Sequence, residues 1–125
     1  MSASTLNFTG DLLAAEQGSR FLHQITLTTN GTPIDISADG FAFTVTTGWG
    51  AASSVLALTV GSGITILDGP NGVLTIDVAE TTMKGVSAGT DYVYDFARIP
   101  GGTAANRYVV FRGQFEVRPS AKAGA

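Results

Sequence analysis

Along most of the chain, apolar and polar residues alternate with a period of two, the mark of strands that bury one face. Phe21, His23, Ile25 and Leu27 share one side of such a run, with Arg20, Gln24, Thr26 and Thr28 on the other. Phe41, Phe43 and Val45 alternate with Ala42, Thr44 and Thr46. Leu56, Leu58 and Val60 continue the pattern, followed by Ile64 and Ile66. Leu74, Ile76 and Val78 form a further run, as do Tyr92, Tyr94 and Phe96, and then Val109, Phe111, Phe115 and Val117. These runs predict six strands, and Leu6–Phe8 predicts a seventh.

Turn chemistry falls between them. Asn30-Gly31-Thr32-Pro33 is a hairpin signal leading into the extended piece Ile34-Asp35-Ile36. Asp68-Gly69-Pro70-Asn71-Gly72 supplies the positive φ values of a tight reversal, and Gly48-Trp49-Gly50 and Gly101-Gly102 mark loops. Two short stretches are expected to be helical, Leu12–Gln17 and Thr81–Val86. The second has Thr81 as N-cap and Gly85 or Gly89 as its stop. The resulting fold class is all-β, an antiparallel β-sandwich of immunoglobulin-like size with about seven to eight strands. One domain is expected over 1–118, with 1–10 as an N-terminal arm and 119–125 as a flexible C-terminal tail.

Composition narrows the chemistry. The 125 residues include no Cys, which excludes a disulfide scaffold and any thiolate-ligated metal site. A single imidazole, His23, excludes a multi-histidine metal centre. His23 lies between Phe21 and Ile25 with no acid within two positions, so a structural role is expected of it rather than base catalysis. Asp91 and Asp95 fall on one strand face about 13 Å apart, beyond the spacing of glycosidase carboxylates. The 68–72 segment is too short to ligate calcium and reads as a turn. Gly48-Trp49-Gly50 and Gly61-Ser62-Gly63 match no phosphate-binding fingerprint. No enzyme, cofactor or metal is expected. No secretory signal peptide and no membrane-spanning stretch is expected either, so the chain reads as soluble.

Only 14% of the residues are charged, against about 25% in a typical soluble protein, and mean hydropathy is positive. A sandwich of this size cannot cover its outside with so few charges, which points to an assembling protein. The charges are unevenly distributed: residues 1–97 hold nine acids and two bases, whereas 98–125 hold five bases and one acid. Such a split suits a molecule that meets its own copies head to tail. No two bases adjoin, so nucleic acid is not an expected partner. The candidate partner contacts are Leu6 and Phe8 on one face of the arm, Trp49 in its glycine-flanked loop, and Arg107, Arg112 and Arg118 in the basic segment.

The order of short motifs carries a resemblance. Leu13 through Phe21, then Asn30-Gly31-Thr32-Pro33-Ile34-Asp35-Ile36-Ser37, is similar to a pattern in small tailed-bacteriophage proteins. Ser62-Gly63-Ile64-Thr65-Ile66, Asn71 through Val78, Gly89 through Phe96 and Arg112 through Val117 extend it. Across residues 13 to 118 the chain resembles the N-terminal β-sandwich domain of phage baseplate upper proteins and related tail-fibre anchor domains. It departs from that pattern at Thr47-Gly48-Trp49, where the family frequently has a basic residue. The resemblance implies a non-enzymatic structural subunit of a virion, assembled in the host cytoplasm, in the tail, neck, baseplate or fibre-anchoring region. Its partners would be copies of itself and other virion proteins. A capsid decoration protein that clamps shell subunits is the alternative. A carbohydrate-binding module using Trp49 with Tyr92 or Tyr108 is a third reading.

Overall fold

The computed structural model describes residues 13–51 and 54–119. Its strands are β1 (Leu13–Glu16), β2 (Phe21–Thr26), β3 (Thr28–Thr29), β4 (Thr32–Pro33), β5 (Gly40–Thr46), β6 (Ser54–Val60), β7 (Gly63–Asp68), β8 (Val73–Val78), β9 (Gly89–Ile99) and β10 (Tyr108–Arg118), with one short helix, α1 (Glu80–Lys84). Eight strands form one hydrogen-bonded series in the order β1-β10-β9-β5-β6-β7-β8-β2, and β3 and β4 make a small hairpin. The protein is all-β. The series curls on itself, so that the β7-β8-β2 half lies over the β10-β9-β5 half. The Phe21 ring on β2 meets Phe115 on β10 edge-on at 5.6 Å and lies 6.5 Å from Phe43 on β5. The two layers expected of a sandwich are therefore two halves of one nearly closed sheet.

Period-two burial builds the core. Phe41, Phe43 and Val45 of β5 are buried, while Ala42, Thr44 and Thr46 between them stay half-buried on the outer face. Leu74, Ile76 and Val78 oppose them from β8. Fully burying each such side chain contributes about 1.5–3 kcal/mol. Met83, the buried residue of α1, joins the same core cluster.

Three local details differ from the sequence expectation. The stretch expected as a helix at Leu12–Gln17 is strand β1 over Leu13–Glu16, paired parallel to β10 from Leu13–Phe115 to Glu16–Arg118. Leu, Ala, Ala and Glu favour a helix, but so short a helix cannot repay its nucleation. The edge of β10 offers backbone partners instead, and Ala15 gains a buried place. Secondly, β1–β10 and β6–β7 are parallel, whereas the other neighbours in the series are antiparallel. Thirdly, α1 begins at Glu80 with Ala79 as its N-cap rather than at Thr81, though it stops at Gly85 as expected. The strand expected at Leu6–Phe8 lies outside the described residues.

The turns follow their chemistry. Asn30 and Gly31 have φ of 51° and 81°, the paired positive values of a tight hairpin, and join β3 to β4. Residues 69–71 form a single 3-10 turn in which the Asn71 side-chain amide donates to the Asp68 carboxylate at 2.8 Å. The passage from β6 to β7 is a corner. Thr59 N–H donates to the Ser62 carbonyl and Gly61 N–H to the Ile64 carbonyl, so the chain steps sideways by one strand and continues in the same direction. Gly63 makes this step at φ +97°, and a Cβ there would stand 2.7 Å from Leu58 Cδ2.

Candidate functional site

Register fixes what the outer face of the larger half displays. Thr44 of β5 pairs with Asp95 of β9, which pairs with Arg112 of β10; in the next row Thr46, Val93 and Gln114 are aligned. Alternation sends the residues on either side of each row inward, so these six stand outward on a rigid, three-strand surface. The loop after β5 folds back over them. Its turn is closed by Ala51 N–H and the Thr46 hydroxyl, which both donate to the Gly48 carbonyl, at 3.1 and 2.8 Å. This double clamp holds Trp49 above the sheet, 55% exposed.

The Arg112 guanidinium lies 4.5 Å from the centroid of the Trp49 ring, a cation–π contact. Beneath the indole, Thr44, Thr46, Val93 and Asp95 help to line a cleft of about 240 Å³. Asp95 Oδ1 is shielded from solvent and accepts no hydrogen bond among the described residues. Its ion-pair partner, Arg107 Nη2, stands 3.9 Å away, too far to donate. Arg112 makes no ion pair among the described residues and is itself exposed beside the aromatic ring.

Three of the six candidate contacts thus come together: Trp49, Arg107 and Arg112. Arg118 stands elsewhere, at the β1–β10 edge, 3.6 Å from Glu16 and 3.5 Å from Glu116. Leu6 and Phe8 lie outside the described residues. The aromatic platform imagined from Trp49 with Tyr92 or Tyr108 does not form as one surface. Tyr92 donates its hydroxyl to the Ser87 carbonyl at 2.8 Å and lines a different cleft with Thr47, Gly89 and Asp91. Tyr108 accepts from Arg98 at 3.1 Å.

The charge split along the sequence becomes neighbouring pairs in the fold. Arg98 bonds Asp39, Arg107 faces Asp95, and Arg118 faces Glu16, each joining the basic segment to the acidic one. Part of the separation in sequence is thus brought together within the fold. The Asp95–Arg107 juxtaposition and the missing donor at Asp95 were invisible in the sequence, because they depend on the β9–β10 register. Alternation alone places Asp95 and Arg112 on outward faces, but only the hydrogen-bonded order makes them cross-strand neighbours.

His23 sits on the inward-facing side of β2, half-buried, with its ring stacked on Phe21 at 6.0 Å and 6°. Burial lowers its pKa from the ordinary value by penalising the charged form. Among the described residues no three His, Asp or Glu side chains gather as a metal site would require, and no helix is long and apolar enough to cross a membrane. No protein-family model matches the chain, and no curated protein matches it.

Proposed function

We propose that the protein is a non-enzymatic structural subunit that works through protein–protein contacts in a symmetric assembly. Its setting, on the motif resemblance across residues 13 to 118, is the tail, neck, baseplate or fibre-anchoring region of a tailed-bacteriophage virion. One observation carries the contact reading: Trp49 is held more than half exposed over a rigid sheet face with Arg112 stacked against it. Trp and Arg are the residues on which interface energy concentrates, and they act best when they are pre-positioned and lose little entropy on binding. The occupant would bring an acceptor to the Arg112 guanidinium and an apolar surface to the indole, a mixture typical of a neighbouring subunit's surface.

The test is incorporation. Trp49→Ala and Arg112→Glu should leave the folding transition in place and reduce association with copies or particles by at least tenfold. Unchanged incorporation of both variants would remove this face from the assembly. A carbohydrate ligand has one observation in its favour, the exposed indole beside a cleft. Saturable glycan binding that is abolished by Trp49→Ala, with incorporation intact, would select it instead.

A further inference from the structure

The dipeptide Asn-Gly occurs at 30–31 and again at 71–72, in opposite surroundings. Asn30-Gly31 is the tip of the β3–β4 hairpin, and residues 29–33 are all exposed. A Cβ added at Gly31 would meet nothing within 4 Å. Among the described residues, no hydrogen bond ties the Asn30 side-chain amide or the Gly31 N–H. Asn71-Gly72 is held on every side. The Asn71 side-chain amide donates to the Asp68 carboxylate at 2.8 Å. Gly72 is buried, its N–H donates to the Gly69 carbonyl at 3.1 Å, and its own carbonyl accepts from Leu27 N–H at 2.9 Å. A Cβ at Gly72 would stand 2.5 Å from the Leu27 carbonyl oxygen and 2.8 Å from that of Ile34, so the surrounding backbone leaves this peptide no room to turn.

We propose that Asn30 is a site of spontaneous deamidation, with water as co-reactant, and that the fold protects the identical dipeptide at Asn71. Asn side chains are thermolabile, and a following glycine, which lacks a Cβ, opposes the reaction least. The Gly31 nitrogen, on losing its proton, adds to Asn30 Cγ and forms an N–C bond. The Cγ–Nδ2 bond then breaks, ammonia leaves with the proton, and a succinimide ring remains. Water opens the ring at either carbonyl, so the sum is amide plus water to carboxylic acid plus ammonia, with no oxidant or reductant. Ring closure requires the peptide after the Asn to swing until its nitrogen faces Cγ. At Gly31 that swing meets open space, whereas at Gly72 it breaks the bonds to Gly69 and Leu27. Each event places a negative charge on the hairpin tip. Opening to isoaspartate also routes the main chain through Cβ, which lengthens a turn built for the paired φ values of 51° and 81°. The β3–β4 hairpin lies outside the eight-strand series, so the mark accumulates with the age of the chain while the core stays folded. This inference goes beyond the assembly reading and does not depend on it.

The test incubates the full-length chain in mildly alkaline buffer below its folding transition, then digests it and maps both sites by mass spectrometry. Asn30 should convert roughly tenfold or more faster than Asn71, because a hairpin tip opens freely and Gly72 must wait for local unfolding. In guanidinium chloride, where the fold is gone, the two rates should converge. Ion exchange of the aged native protein should resolve a growing acidic form that is absent from Asn30→Asp, a variant that already carries the product's charge. Equal rates at the two sites in the folded chain would overturn the protection. Conversion at Asn30 in guanidinium chloride but not in the folded chain would overturn the site itself, as would an acidic form that still grows in Asn30→Asp.

Discussion

On the proposed reading, the Arg112–Trp49 contact contributes little to folding and much to association. An exposed cation–π pair is worth about 0.5–1 kcal/mol, so Trp49→Ala should barely move the thermal midpoint. Interface anchors of the same types cost about 2 kcal/mol or more when truncated, so the variant should separate from wild type in assembly, not in folding. His23 offers a pH test. Its folded pKa is depressed by burial, so above about pH 6.5 both folded and unfolded forms are neutral and contribute no slope. Below that value the unfolded chain takes up a proton that the folded one resists. Stability should therefore fall as pH drops from about 6.5 toward the folded pKa. Denaturant titrations across this range should show the slope in wild type and lose it in His23→Gln, with assembly intact; equal slopes would remove His23 as its source. Asp77 acts in a lower window. The Arg20 guanidinium, bonded to both its oxygens at 2.8 Å, holds its pKa down, so its contribution is present above about pH 4 and fades with further acidification.

At the scale of elements, two joints hold the architecture, and each has a substitution that reads it. The β6–β7 corner depends on Gly63. Gly63→Ala combines a left-handed backbone with a methyl driven into Leu58, and should cost about 2–4 kcal/mol in urea denaturation. Gly48→Ala, which enters open space, is the control and should be near neutral. The second joint is Asp39, which lies just before β5 and accepts from Arg98 at the end of β9 and from Gly101 N–H in the following loop. Its side chain is only 7% exposed. Asp39→Ala leaves both donors without their acceptor and should cost about 1–3 kcal/mol, with a midpoint shift as the readout. The strands were legible because each buries alternate residues: Phe41-x-Phe43-x-Val45 admits one face and one register against β9. β1 was not legible, since Leu13–Glu16 has the local preference of a helix and becomes a strand only because β10 offers an edge. The sideways step at Gly61–Gly63 was visible as two glycines, but the direction of the strand after it is a tertiary fact.

For the whole molecule, the eight-strand series carries a clamped aromatic patch on one face. Low charge along the sequence raised the expectation of an assembling protein but pointed to no particular surface. Trp49 and Arg112 stood out as separate candidates, and only the register of three strands made them one surface. The uneven charge along the sequence did not show that Arg107 would lie 3.9 Å from Asp95 and Arg118 3.6 Å from Glu16, since both contacts depend on how the strands pair. The central claim is that this chain is a repeated structural subunit of a virion, and cryo-electron microscopy of purified particles tests it most directly. The account predicts density for the sandwich in several symmetry-related copies, with the Trp49–Arg112 face against a neighbouring subunit. Particles that lack the chain, or hold it with that face open to solvent in every copy, would contradict it.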